Sequence, residues 1–304
     1  MSFGKILGRA WEITWRWKVL WVLGFLVSLS QTWSQIGNRS DWVERRGGYM
    51  PPEIGGALLA LACLAVLIGI ALWVLSVIAR GALIGGVQQV EQEGATSLGQ
   101  AWRAGVSRFW TLFGIGILTS LPTLLMVFVI VAAFVGPLVA DVAISGHDEP
   151  RAGIALSLLC GTPLCCLTIA GAIVLTQLQK YADRAAVLEG LGWIEAIKRG
   201  WQVLKENLAP TVMLWLIFLG IGLVLFFVIG GGIFVLSLPF LGILMSSEPE
   251  GWLLIPLVCG GLLTVVIGAL IGSVVETFTS ATWTLAYREM TGPTGQTTEL
   301  EATA

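Results

Sequence analysis

The feature that most constrains this chain is a succession of apolar stretches, each long enough to cross a lipid bilayer. A membrane helix needs about 20 apolar residues to span about 30 Å of hydrocarbon. Six regions meet that need: one around Val19–Ser30, Ile54–Ala79, Phe109–Ala140, Ala152–Leu178, a fifth from Leu208 and a sixth from near Trp252. The first is short, so its helix is expected to begin inside the preceding segment. The fifth, Leu208–Met245, would be about 57 Å long as one helix, too long for a single crossing. Gly230-Gly231-Gly232 and Pro239 offer breaks. A crossing to Ile229 followed by a short interfacial helix, or by a re-entrant segment, accounts for the excess. Pro122, Pro137, Pro163 and Pro256 are expected to kink or cap the other helices, and Asp141 to cap the outer end of the third.

Composition supports a lipid solvent. Apolar residues make up 56% of the 304 and charged residues only 12%, against about 25% charged in soluble proteins. Such a chain cannot cover a globule with polar surface. Fourteen Trp and 38 Gly suit interfacial belts and close helix packing. The net charge of −2 selects no partner, and no basic tract suggests nucleic acid. The five Cys (Cys63, Cys160, Cys165, Cys166, Cys259) lie in apolar runs without CxxC spacing, and His147 is the one histidine. No metal site, cofactor or disulfide framework is expected. Ser30-Gln31-Thr32-Trp33 is no small-residue cleavage site, so the N-terminus does not read as a signal peptide.

Lysine and arginine set the expected orientation. The N-terminus, the connections 80–108 and 179–207 and the C-terminal tail carry 13 of the 17; Arg39, Arg45, Arg46 and Arg151 lie on the other side. The positive-inside rule places both termini in the cytoplasm.

Three segments align: "FGKILGRAWEITWRWKVLW" from Phe3, "TSLGQAWRAGVSRFWTLFG" from Thr96 and "GWIEAIKRGWQVLKENLAP" from Gly192. The first two share Leu-Gly-x-Ala-Trp, and the third keeps a small residue before Trp201. Each precedes an apolar crossing and a return. The expected fold is therefore an all-α polytopic membrane bundle of about six transmembrane helices and three amphipathic interfacial helices. It forms one integral membrane domain over 1–290, in repeat units of about 1–95, 96–191 and 192–290, with a disordered cytoplasmic tail at 291–304.

In the third copy, Ile194, Ile197, Trp201, Leu204 and Leu208 form one apolar stripe, with charged residues elsewhere. Such a helix can lie in the headgroup plane and meet anionic lipid. The candidate interfacial contacts are Trp11, Arg16 and Lys18, then Trp102, Arg103 and Arg108, then Lys198, Arg199, Trp201 and Lys205. Packing on the rim of the bundle is the other use these helices could have.

The segment "RAAVLEGLGWIEAIKRGWQVLKENLAPTVMLWLIF", Arg184–Phe218, and the opening "FGKILGRAWEITWRWKVLWVLGFL" resemble a broad group of uncharacterised bacterial six-helix membrane proteins. That group is similar to the membrane domain preceding the catalytic domain in some glycerophosphodiester phosphodiesterases. The resemblance covers roughly a fifth of the chain by motif and implies a fold and a membrane location. It carries over no catalytic residue, and the 14 residues after Met290 could not form the soluble catalytic barrel.

The sequence contains no HExxH, GxSxG or phosphate-binding loop. His147, Asp148 and Glu149 read as a solvated turn. On the last helix Ser273, Glu276, Thr277, Ser280 and Thr284 form a polar stripe, readable as a packing seam with an ion pair to Arg80 or Arg184, or as a polar path. The leading expectation is a non-enzymatic scaffold or accessory factor that engages membrane lipids, including anionic ones, or a membrane protein partner at the cytoplasmic face. The alternative is a transporter or channel for a small or lipidic solute.

Overall fold

The computed structural model describes the backbone of residues 2–37, 52–145, 151–232 and 254–292, and the side chains of 2–30, 60–143, 153–232 and 266–292. Pro239, the segment after the glycine triplet, the His147–Glu149 turn and the tail from 293 lie outside the described residues, as does the side chain of Cys259. Among the described residues there are nine helices and no strand. They are α1 (Phe3–Arg16), α2 (Val19–Gly37), α3 (Pro52–Glu93), α4 (Leu98–Ser107), α5 (Phe109–Ser145), α6 (Arg151–Leu188), α7 (Trp193–Glu206), α8 (Leu208–Leu225) and α9 (Leu254–Thr291).

The protein is an all-α helical bundle, and α3, α5, α6, α8 and α9 are long and apolar enough to cross a membrane. The part of α2 whose side chains are described, Val19–Ser30, is a shorter apolar stretch. Leu64, Leu67, Phe128, Leu159 and Leu167 are all more than half exposed. Side chains of this size in such numbers, uncovered on long helices, suit a hydrocarbon solvent. At 42 residues α3 would measure about 63 Å, twice the hydrocarbon thickness.

Three boundaries differ from the sequence reading. The first crossing does not begin inside the preceding segment. Helix α1 ends at Arg16, where Trp17 N–H donates to Ile13 O at 3.0 Å, and α2 starts afresh with Leu20 N–H on Trp17 O at 3.0 Å. The Trp21 indole N–H donates to Thr14 O at 2.8 Å and fixes the corner. The connections 80–108 and 179–207 are largely helical, because α3 continues to Glu93 and α6 to Leu188. The expected break at the glycine triplet is not seen among the described residues: a π turn, Phe226–Gly230, follows α8, and Gly231 and Gly232 remain helical. Helices α3, α6 and α9 each run into a glycine of positive φ: Gly94 (70°), Gly190 (74°) and Gly292 (77°). That left-handed conformation, costly for a residue with a Cβ, stops a helix cleanly.

Two compact units divide the chain. The first comprises 1–109 and 207–304. Its core joins α1 (Ala10, Ile13), α2 (Leu20, Leu23, Val27), α3 (Ala79, Ala82, Leu83, Val87, Val90), Ala101 of α4 and Ala281 of α9. Helix α2 packs against both α3 and α9, α4 folds back on α3, and α1 lies on α9. Phe218 of α8 stacks on Trp283 at 6.1 Å. The second unit, 110–206, pairs α5 with α6 and lays α7 on α6. In it Ser157 Oγ donates to Phe134 O at 2.8 Å, and Phe134 lies against Gly161. Asp141 does not cap the end of α5. Its carboxylate accepts from Gly153 N–H at 2.8 Å, in the first turn of α6. The helix dipole explains the change: a negative group is favoured at a helix N-terminus and opposed at a C-terminus.

Candidate interfacial site

Two of the three short helices, α4 and α7, use small residues to approach a long helix. In α4 the buried residues are Ala101 and Gly105. A Cβ on Gly105 would collide with the Ile78 carbonyl and stand 2.8 Å from Ala82 N, and one on Gly86 would stand 3.3 Å from Ala101 Cβ. In α7 the buried residues are Ala196, Gly200, Val203 and Leu204, and a Cβ on Gly200 would stand 2.8 Å from Ala182 N. In α1 they are Ile6, Ala10, Ile13 and Thr14.

That packed face coincides only in part with the expected apolar stripe: Leu204 is buried and Ile197 half-buried, but Ile194, Trp201 and Leu208 are exposed. In α7 Trp193, Ile194 and Trp201 are 46%, 48% and 41% exposed. At 100° per residue Ile194 and Trp201 occupy the sector beside the packed one, while Trp193, at the start of the helix, faces Gly114; Lys198, Gln202, Lys205 and Glu206 fill the sector beyond. The helix thus has a small-residue face on α6, an uncovered apolar sector and a charged sector.

The candidate contacts fall into distinct environments. Trp11 is 53% exposed and meets Trp15 and Phe278 edge-on at 5.5 and 5.9 Å. Trp102 instead packs half-buried against the core. Lys18, Arg103, Lys198 and Lys205 are exposed, and the Lys205 ammonium sits 5.0 Å from the Trp201 ring centroid. Arg16 is exposed and 3.8 Å from Glu12. Arg199 is held by Glu189 at 3.3 Å, and Arg108 is half-buried.

The polar stripe of α9 occupies an interior seam. Ser273, Thr277, Ser280 and Thr284 are buried, while Glu276 is half-buried. Thr277 Oγ1 lies 2.8 Å from Ser273 O and 3.2 Å from Leu20 O of α2, and Thr284 Oγ1 donates to Ser280 O at 2.7 Å. Gly24 of α2 approaches Ser273 and Thr277 so closely that a Cβ would strike both, and Ser28 Oγ donates to Ala269 O at 3.1 Å. Hydroxyls bonded to their own helix satisfy the backbone and let two helices close up. Thr277→Val is expected to cost about 0.6 to 1 kcal/mol, the usual worth of such a bond in a membrane bundle. Thermal unfolding of the purified variant checks this; a collapse of the fold would show that the hydroxyl does more than bridge two carbonyls.

A second group of charges gathers where α1, α3 and α9 meet. Glu91 Oε1 accepts from Arg9 Nε at 2.9 Å, and Glu91 Oε2 lies 4.0 Å from Arg288 Nη1. Arg9 also reaches Glu12 at 2.8 Å, and Glu289 Oε1 accepts from Ser2 N–H at 3.1 Å. Glu91 first, then Glu12, raises the Arg9 guanidinium above its ordinary value. A cation with a raised value keeps its charge throughout the accessible pH range, so the pairs persist wherever the two carboxylates are ionised. Sequence reading missed this cluster, since Arg9 and Glu91 are 82 positions apart. Among the described residues no three His, Cys, Asp or Glu side chains converge as around a metal ion.

No curated protein and no solved structure matches the chain. A model for a domain of unknown function, DUF7847, matches residues 1–290, and by that match the protein belongs to the DUF7847 family.

Proposed function

We propose that this is a multi-pass protein of the bacterial cytoplasmic membrane, with both termini in the cytoplasm. In this reading it is built from three copies of one unit and acts as a non-enzymatic scaffold whose amphipathic helices α1, α4 and α7 engage anionic headgroups at the cytoplasmic face. The architecture would be shared with the membrane domain that precedes the catalytic domain in some glycerophosphodiester phosphodiesterases. One observation carries the reading. At Ala10–Trp11, Ala101–Trp102 and Gly200–Trp201 the small residue is buried, and α4 and α7 use it to close on a long helix. In α1 and α7 the neighbouring Trp is left exposed with cations nearby. An indole has an apolar body and a polar edge, which suits the headgroup boundary.

Lysines near an anionic surface contribute about 1 kcal/mol each. Lys198→Gln combined with Lys205→Gln is therefore expected to weaken retention of phosphatidylglycerol by about 2 kcal/mol, on the order of 30-fold. Native mass spectrometry of protein released from mixed phosphatidylglycerol and phosphatidylcholine nanodiscs reads this directly. Equal lipid retention by parent and double variant would remove the basis of the proposal. The transport alternative has less support, since Thr277 and Thr284 spend their hydroxyls on backbone carbonyls.

A further inference from the structure

We propose that the depression between α1, α3 and α9 is a binding site for a phosphate group, separate from the lipid-facing sector of α7. Its rim is formed by Lys5, Arg9, Glu91, Arg288 and Glu289, and it is an open surface depression of about 360 Å³. Three cations thus face two carboxylates. The pairing within the site leaves donors in excess. Glu91 is one carboxylate shared between two guanidinium groups, bonding Arg9 at 2.9 Å and remaining 4.0 Å from Arg288, too far for a hydrogen bond. Glu289 is engaged by the Ser2 amide. The Lys5 ammonium makes no ion pair among the described residues and is exposed.

The arrangement also orients its donors. Arg9 is gripped at Nε by Glu91 and at Nη1 by Glu12, which fixes the plane of its guanidinium. A fixed fork beside two further cations suits a tetrahedral anion with several acceptor oxygens better than it suits a single carboxylate. Ile6 and Leu285 provide an apolar floor, so an attached hydrocarbon portion would be accommodated next to the phosphate. A network made only to hold α1 on α9 would match its charges and close the space between them. Here Arg288 makes no hydrogen bond to Glu91 and Lys5 makes no ion pair among the described residues, so both line an open hollow with N–H donors to spare. The phosphate could belong to a lipid headgroup or be free in solution.

The test uses the full chain purified in an uncharged detergent, with thermal unfolding followed against added probe. The probes are inorganic phosphate and dioctanoyl phosphatidylglycerol, with dioctanoylglycerol as the phosphate-free control. Dioctanoyl phosphatidylglycerol is expected to raise the midpoint and dioctanoylglycerol to leave it unchanged. Stabilisation by inorganic phosphate as well would identify a free-anion site; stabilisation by the lipid alone would identify a headgroup site. Lys5→Gln, at an exposed position that the fold does not need, and Arg288→Gln are each expected to weaken the apparent affinity at least tenfold. Arg288→Lys should restore part of it. If neither phosphate-bearing probe stabilises the protein, if dioctanoylglycerol does so equally, or if both glutamine variants bind like the parent, the proposal fails.

Discussion

Replacing Gly24 by leucine is expected to disrupt the bundle more than any single polar substitution. Gly24 is buried in α2, and even a lone Cβ there would strike the Ser273 carbonyl and the Thr277 hydroxyl of α9. The carbonyl belongs to a helix backbone and cannot rotate away, so the two helices must separate. Overpacking a core typically costs about 1–3 kcal/mol, and a clash with backbone lies at or above the top of that range. Separation also exposes Thr277 and Ser28, whose hydroxyls reach across the seam. The midpoint of thermal unfolding should fall by on the order of 10 °C, or the variant should fail to emerge as a single species from gel filtration. Gly8→Ala is the matched comparison. A Cβ on Gly8 would meet nothing within 4 Å, and removing a glycine from the helix interior should gain about 0.5–1 kcal/mol. A Gly24→Leu protein that melts with the parent would mean that α2 and α9 do not pack through this seam.

The contrast with Thr277→Val separates two contributions to the same contact. Losing the hydroxyl removes a bond to two carbonyls, each of which retains its helical partner. Adding a side chain at Gly24 forbids the approach itself. Close packing of small residues, more than hydrogen bonding, then holds α2 to α9, as expected where lipid offers no hydrophobic driving force between helices.

The long helices were legible because lipid selects for uninterrupted apolar residues, and five such runs survive as helices long enough to cross a membrane. Their ends were not legible. Residues 80–93 include Gln88, Gln89, Glu91 and Glu93, and residues 179–188 include Lys180, Asp183 and Arg184. Hydropathy falls there, so these residues read as loops, yet both stretches remain helical because α4 and α7 cover them in place of lipid. Gly94 and Gly190, each preceded by Glu, were the available stop signals. The packed face of α7 was partly misread for a related reason. Apolar periodicity gives weight to large residues and picks out Ile194, Ile197, Trp201, Leu204 and Leu208; Leu204 is indeed buried and Ile197 half-buried, but the helix rests also on Val203 and on the small Ala196 and Gly200, which such a reading passes over. The stripe of α9 was visible from spacing alone, because an i, i+4, i+7 set of Ser and Thr is a local pattern. The cluster around Glu91 was invisible, because its arginines come from opposite ends of the chain and only the packing of α1 on α9 brings them together.

Gly200→Leu should detach α7 while leaving the crossings in place. A Cβ on Gly200 would stand 2.8 Å from Ala182 N and 3.2 Å from Ala182 Cα, so no rotamer relieves the overlap. Helix α7 is 14 residues long, close to the length at which an isolated helix is marginal in water. Its stability therefore depends on the faces it covers, α6 on one side and, in the proposed reading, the bilayer on the other. In detergent without anionic lipid, only the α6 face remains, and the variant loses it. Amide hydrogen exchange across 193–206 should then accelerate by on the order of 100-fold, equivalent to about 2.7 kcal/mol of lost protection, while the apolar centres of α5 and α6 stay protected. Adding phosphatidylglycerol supplies the second face. If α7 is an interfacial helix, the lipid should restore much of the protection even in Gly200→Leu, through Trp201, Ile194, Lys198 and Lys205. If protection returns in the parent but not in the variant, α7 is held by α6 alone and the lipid acts elsewhere on the protein. If Gly200→Leu exchanges like the parent from the start, the close approach at Ala182 does not support the helix.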